Sequence, residues 1–362
     1  MIFKRIFSLI ALTLAVSACS DGSNNSNSTA GVEEPRPALE LSFSEAPVDL
    51  TNISADFAAD VRYGEAERNL LDIFLPDCED PTPLVMFIHW GGFIGGNKED
   101  AYDVQVEEIQ EFLRNCVAYA SINYTLLEIP ETDEDIEKAA AQGGVLTALE
   151  DTARALQFMR YHFESLNIEP ENVAAYGGSA GAGSSLWLGT HDDMADPDNE
   201  DPILRESTRV KAAGALATQS TYDLLDWEQI LLPVTEPFAP ILGGTDLVTI
   251  AEAIGATNYL LTILGIASLD QLDSQALDEY RARVDMLEMM DSGDAPVFIY
   301  SIVFPPDDLI NLLLHHPLHG LAVKDRADEV GLEAVAYSED PNYPLQDPSG
   351  ETLTSFLMRH IL

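Results

Sequence analysis

The stretch "NVAAYGGSAGAGSS", residues 172–185, joins a short apolar run to a glycine-rich turn and then to a row of small residues. Gly177, Ser179 and Gly181 stand in it as G-x-S-x-G. The run before them predicts a strand and the run after them a helix, the setting in which this pattern is informative. So tight a turn leaves no room for side chains beside the serine, and only glycine or alanine fits there, as Gly178 and Ala180 do. Ser179 is thereby pushed out at the strand end. It opens a helix whose free N–H groups favour developing negative charge.

A second glycine-rich stretch, "HWGGFIGG" at 89–96, comes after an earlier apolar run, "PLVMFIHW" at 83–90. Glycines there let backbone N–H groups approach the oxygen of a tetrahedral intermediate, and His89 reads as a group that holds the loop rather than one that transfers protons. Further strands are predicted at 70–76, 117–124, 172–177, 210–218, 296–303 and 333–338, several of them continuous apolar runs suited to burial on both faces. The segment 145–166 has apolar residues at three- and four-residue spacing and predicts an amphipathic helix, with His162 a structural member; other helices are expected at 100–114, 180–189, 318–330 and 351–361. Such alternation means crossover connections and a mostly parallel sheet with helices on both faces. The long connection between Thr218 and Pro296 is largely helix-like and predicts a helical cap insertion over about 221–295.

The two glycine motifs in this order resemble the α/β-hydrolase fold, specifically esterases and lipases with an HGGG-type oxyanion loop, including feruloyl-esterase-like carboxylesterases. The resemblance extends over roughly 60–362, with Trp90 in place of the usual first glycine. It implies Ser179 as nucleophile, the N–H groups of Gly91, Gly92 and Ala180 as oxyanion donors, and hydrolysis of small carboxylic esters through an acyl-enzyme without metal or organic cofactor. It also places an acid after the strand that follows the cap, and a histidine after the last strand. Asp307 and Asp308 in "SIVFPPDDLI" occupy the acid's loop, with Asp308 taken first and Asp223 held as a reserve position. The segment after the last strand, "SEDPNYPLQDPSGETL", holds no histidine, and His360 falls inside the closing helix. His315, His316 and His319 in "LLLHHPLHG" follow the acid loop instead; His316 is taken first as general base, because geometry and not sequence order defines a triad. The competing expectation is a degenerate hydrolase that binds a ligand or protein without turnover.

Residues 1–19 read as a targeting segment: Lys4 and Arg5 precede the apolar "IFSLIALTLAV", and the ending "LAVSAC" resembles a bacterial lipobox. That resemblance implies lipidation at Cys19, membrane contact through this anchor alone, and, with Ser20 next, an outer-membrane address facing the periplasm or cell surface. The polar stretch from 20 to 47 is expected to be a flexible tether, and 48–362 the folded domain. Without Lys4 and Arg5, 16 of the 18 basic residues remain against 62 acidic ones, a formal balance of −46 that makes nucleic acid and anionic lipid surfaces poor partners. Cys78 and Cys116 each precede a predicted strand; if those strands are parallel neighbours their starting ends meet and a disulfide can form, the alternative being two buried thiols. The acidic run "HDDMADPDNEDP" at 191–202 lacks the glycine and terminal glutamate of a calcium loop and reads as a solvated loop, so no metal is expected.

Overall fold

In the computed structural model, residues 36–132, 135–304 and 309–362 are described. Cys19, the targeting segment and most of the expected tether lie outside them, as do Asp307 and Asp308.

The interior is built on the strand Thr82–Ile88 (β4), every residue of which is buried. Leu84, Met86 and Ile88 enter the core on one face of the sheet, while Val85 and Phe87 enter the core on the other. The strand Ile168–Gly178 (β6) divides in the same way, with Val173 and Ala175 on one side and Ala174 and Tyr176 on the other. A continuous apolar run is what two-sided burial demands of a period-2 element.

Seven further strands complete one sheet: Phe43–Ser44 (β1), Ala55–Arg62 (β2), Leu70–Pro76 (β3), Ala118–Ile122 (β5), Ala213–Leu216 (β7), Val297–Ser301 (β8) and Ala334–Ser338 (β9). The spatial order is β1-β2-β3-β5-β4-β6-β7-β8-β9. The pairs β1–β2, β2–β3 and β3–β5 are antiparallel; all pairs from β5 to β9 are parallel. The sequence reading misses β1 and β2. Both carry exposed residues at irregular intervals, and β2 is broken by a register shift between Ala58 and Val61, where Asp60 has φ +56°. That bulge destroys the alternation by which a half-buried strand is recognised.

The folded unit spans Pro37–Leu362, so it begins earlier than the expected boundary at 48. Leu39 and Leu41 pack against the core, and the Leu39 N–H donates to Ser165 Oγ at 3.0 Å. The tether expectation is corrected for these residues: apolar side chains between the polar positions tie them down.

Between β7 and β8 the chain runs through helices that include Trp227–Thr235, Leu247–Ile254, Thr257–Leu264 and Gln275–Val284, the region expected as a helical cap. Cys78 and Cys116 form a disulfide with Cα atoms 6.2 Å apart. The parallel pairing of β4 with β5 brings these two strand starts together, as the sequence argument requires. Closing a loop of 38 residues of separation restricts the unfolded chain by about 4 kcal/mol.

Candidate active site

Register places the C-terminal ends of three central strands side by side: Ile88 of β4 pairs with Gly177 of β6, and Gly178 pairs with Leu216 of β7. Ser179 follows at once, with φ +52° and ψ −117°, and precedes the helix Ala180–Thr190. A left-handed serine costs on the order of 1–3 kcal/mol and persists only where its surroundings over-determine it. Here they do. A Cβ on Gly181 would lie 2.0 Å from the Ile88 carbonyl oxygen, and one on Gly177 would lie 2.5 Å from both that atom and the Gly181 carbonyl. The Ser179 N–H donates to the Leu216 carbonyl at 2.9 Å, and the Ser179 carbonyl accepts from Gly183 N–H at 3.0 Å.

The Ser179 hydroxyl meets an imidazole. Its Oγ is 2.7 Å from His315 Nε2, and His315 Nδ1 is 3.1 Å from Asn311 Oδ1. Because the amide oxygen only accepts, Nδ1 carries the proton and Nε2 is left to accept from the serine. Asn311 and His315 lie one turn apart on the helix Leu309–His315, and Phe304 stacks on the imidazole with centroids 4.6 Å apart. Gln219 Nε2 donates to the Leu314 carbonyl at 2.8 Å, fastening the end of this helix from the β7 side.

The imidazole at Ser179 is therefore that of His315 and not that of His316, the first choice. His316 accepts the Leu318 N–H at 3.1 Å and caps the helix Pro317–Val330, with its ring edge-on to Tyr343. Burial holds its pKa below the ordinary histidine value. His319 is wholly buried: Nε2 donates to the Leu313 carbonyl at 2.9 Å, and Nδ1 accepts from Ser220 N–H at 3.3 Å. Burial pulls its pKa down to about 4. His360 lies in the closing helix, 3.8 Å from Glu333 Oε2. The reserve acid, Asp223, is also placed elsewhere. Both its oxygens accept from Arg281 Nε, at 2.7 and 2.9 Å, within a cluster that includes Asp226 and Asp285.

The loop after β4 is the other half of the site. Gly91 and Gly92 have φ +113° and +60°, and a Cβ on Gly91 would lie 2.1 Å from the Gly95 carbonyl oxygen. Among the described residues the N–H groups of Gly91, Gly92 and Ala180 make no hydrogen bond, and all three residues line the cavity in front of Ser179. His89 is the brace expected of it: Nδ1 donates to the Trp90 carbonyl at 2.6 Å and the ring stacks on Tyr124 at 4.2 Å. Burial lowers its pKa to about 4, so it is neutral in ordinary conditions. Arg68 secures the far end of the loop, donating to the Gly96 carbonyl at 2.8 Å and to Asn97 Oδ1 at 3.0 Å.

Three contributors escape the sequence reading: Asn311, Gln219 and the cap residue Tyr259, whose hydroxyl donates to the Gly92 carbonyl at 3.2 Å. Only Asn311 left a signal there, its four-residue spacing from His315. The acidic run 191–202 is occupied locally: Asp193 accepts from Ala195 and Thr208 N–H groups, and Asp201 caps a turn and pairs with Arg154 at 2.8 Å.

A mostly parallel sheet with a strained serine at a central strand end, an imidazole on its hydroxyl and a glycine loop beside it defines an α/β-hydrolase. The BD-FAE family model matches residues 71–260, more than half of the chain, and the protein belongs to that family. A comparison with curated proteins gives no match. Among solved structures, the chain is similar to a truncated carbohydrate esterase from gut microbiota, at 13% identity and TM-score 0.56 over 89% of this chain and 98% of that one. It is also similar to a bacterial heroin esterase, at 17% identity and TM-score 0.52 over 88% and 87% of the two chains. A third similar structure is esterase B from Lactobacillus rhamnosis, at 12% identity and TM-score 0.51 over 85% and 84%. At these identities the likeness shows the shared fold.

Proposed function

We propose that the protein is a serine hydrolase that cleaves carboxylic esters through an acyl-enzyme on Ser179. The 2.7 Å contact between Ser179 Oγ and His315 Nε2 carries this reading. In the proposed reaction His315 takes the serine proton as Oγ bonds to the ester carbonyl carbon. The carbonyl electron pair moves onto oxygen, where the N–H groups of Gly91, Gly92 and Ala180 receive it, aided by the helix Ala180–Thr190. Collapse breaks the bond to the alcohol, which leaves with the proton from His315. Water then attacks the acyl-enzyme by the same route and frees acid and serine. Asn311 holds the imidazole's tautomer, and Asp308, or Asp307 beside it, is proposed as the carboxylate that balances the imidazolium.

The site acts in an exported protein anchored by lipid at Cys19 to the bacterial cell envelope, a reading that rests on the lipobox-like ending "LAVSAC". The competing idea of a non-catalytic binder rested on the missing histidine after β9. The helix Leu309–His315, between β8 and β9, carries an imidazole to Ser179 Oγ, which supports turnover over that idea. The test is a fluorophosphonate probe followed by turnover of p-nitrophenyl esters. Labelling and turnover are expected, both lost in Ser179→Ala; a protein that neither labels nor turns over overturns the reading.

A further inference from the structure

The walls of the cavity in front of Ser179 point to a substrate class, an inference that rests on the ester-hydrolase reading. The cavity holds about 860 Å³, within the range that encloses most of a small-molecule ligand. Among its described lining residues there is no Asp, Glu, Lys or Arg. The cap roofs it with Leu247, Ile250, Ile254, Leu260 and Ile263. At its edge Ile94 and Ile310 also line it, although they are 44% and 56% exposed, so the apolar surface continues out to solvent.

The polar side chains on these walls already have partners inside the protein. Tyr222 donates to the Ala180 carbonyl at 2.8 Å and Tyr259 to the Gly92 carbonyl at 3.2 Å. Gln219 donates to the Leu314 carbonyl at 2.8 Å, and Gln105 Oε1 accepts from Tyr176 at 3.0 Å. A polyhydroxylated ring entering here gives up water at each hydroxyl and meets few groups to replace it. An anionic substrate has no cation to meet on the described walls and is repelled by the chain's formal charge of −44. An apolar chain loses nothing on entry, and each methylene buried is worth roughly a fourfold gain in kcat/KM.

We propose that the substrates are neutral esters carrying an extended apolar group, which the cap chamber holds beside Ser179. Two series test it with the full chain: p-nitrophenyl esters from acetate through butyrate and hexanoate to octanoate, and n-alkyl acetates from methyl to octyl. Acetylated xylose serves as the polar comparison. At least one series is expected to climb tenfold or more in kcat/KM, the acyl series if the chamber holds the acid portion and the alkyl series if it holds the alcohol. Acetylated xylose is expected to fall below octyl acetate. Ala251→Phe, placed in the roof, is expected to lower the ratio of longest to shortest substrate in the rising series tenfold or more; Ile254→Phe does the same if the first variant does not fold. Two flat or falling series, preference for acetylated xylose, or an unchanged ratio in the folded variants overturns the proposal and leaves the esterase standing, provided Ser179 still takes the fluorophosphonate. Failure to label and to cleave any ester overturns the esterase and the proposal together.

Discussion

Ser179 and His315 meet at 2.7 Å, yet the two reach that point by different means. The serine is placed by backbone: a turn in which Gly177 and Gly181 have no room for a Cβ, wedged between the ends of three buried strands. The histidine is placed by side chains, on the last residue of a seven-residue helix, with Asn311 behind its ring and Gln219 holding the carbonyl of its neighbour. A backbone-built position tolerates no change at the covalent frame but is indifferent to distant side chains. A side-chain-built position depends on several remote contacts, each worth little. The contrast predicts abrupt failure on the serine side and graded failure on the histidine side.

The abrupt case is Gly181→Ala. With the Ile88 carbonyl 2.0 Å from the new Cβ, the turn must open, and a loss of more than about 3 kcal/mol is expected in denaturant unfolding. Gly178→Ala is the control: its nearest neighbour is Trp90 at 3.4 Å, and a cost under about 1 kcal/mol is expected. Equal costs would break the backbone half of the comparison.

The histidine side has a pH signature. Burial holds His319 near pKa 4, below the ordinary 6.5 it regains on unfolding, so the unfolded chain takes up its proton first as pH falls. Its contribution to stability is intact above pH 6.5 and drains away between 6.5 and 4, amounting to about 2 kcal/mol by pH 5. Between pH 7 and pH 5 the wild type should therefore lose about 2 kcal/mol more than His319→Gln. Parallel losses would show that this imidazole is not buried in its neutral form. Next in size, Gln219→Ala releases the Leu314 carbonyl and is expected to lower kcat about tenfold with little change in KM. Smallest is Tyr259→Phe, which frees the Gly92 carbonyl from the cap and should lower kcat a few-fold. A larger fall in this variant than in Gln219→Ala would move the sensitive half of the site from base to oxyanion loop.

The same contrast explains what the sequence could and could not reveal. Gly177, Ser179 and Gly181 are legible because the turn needs glycine at fixed spacing: a Cβ on Gly177 would meet the Gly181 carbonyl four residues on. The sheet from β3 to β9 is legible because two-sided burial writes itself as apolar runs. His315 is not separable from His316 by any local rule. Which ring turns toward Ser179 depends on where one helix ends and the next is capped, and His316 is taken up as that cap. A sequence order that expects histidine after the last strand looks in the wrong place, because here the chain delivers its imidazole directly after β8. Tyr259 was hidden for a related reason: nothing within the cap records that its hydroxyl reaches a loop 167 residues away.

The most direct measurement is kcat/KM on one activated ester for wild type, His315→Ala and His316→Ala, each checked for a folded transition. His315→Ala should fall on the order of 10⁴-fold or more, to near the level of Ser179→Ala, while His316→Ala stays near wild type and loses about 1 kcal/mol of stability with its helix cap. A folded His315→Ala enzyme that keeps its activity, or a His316→Ala enzyme that loses it, would contradict the assignment of the base.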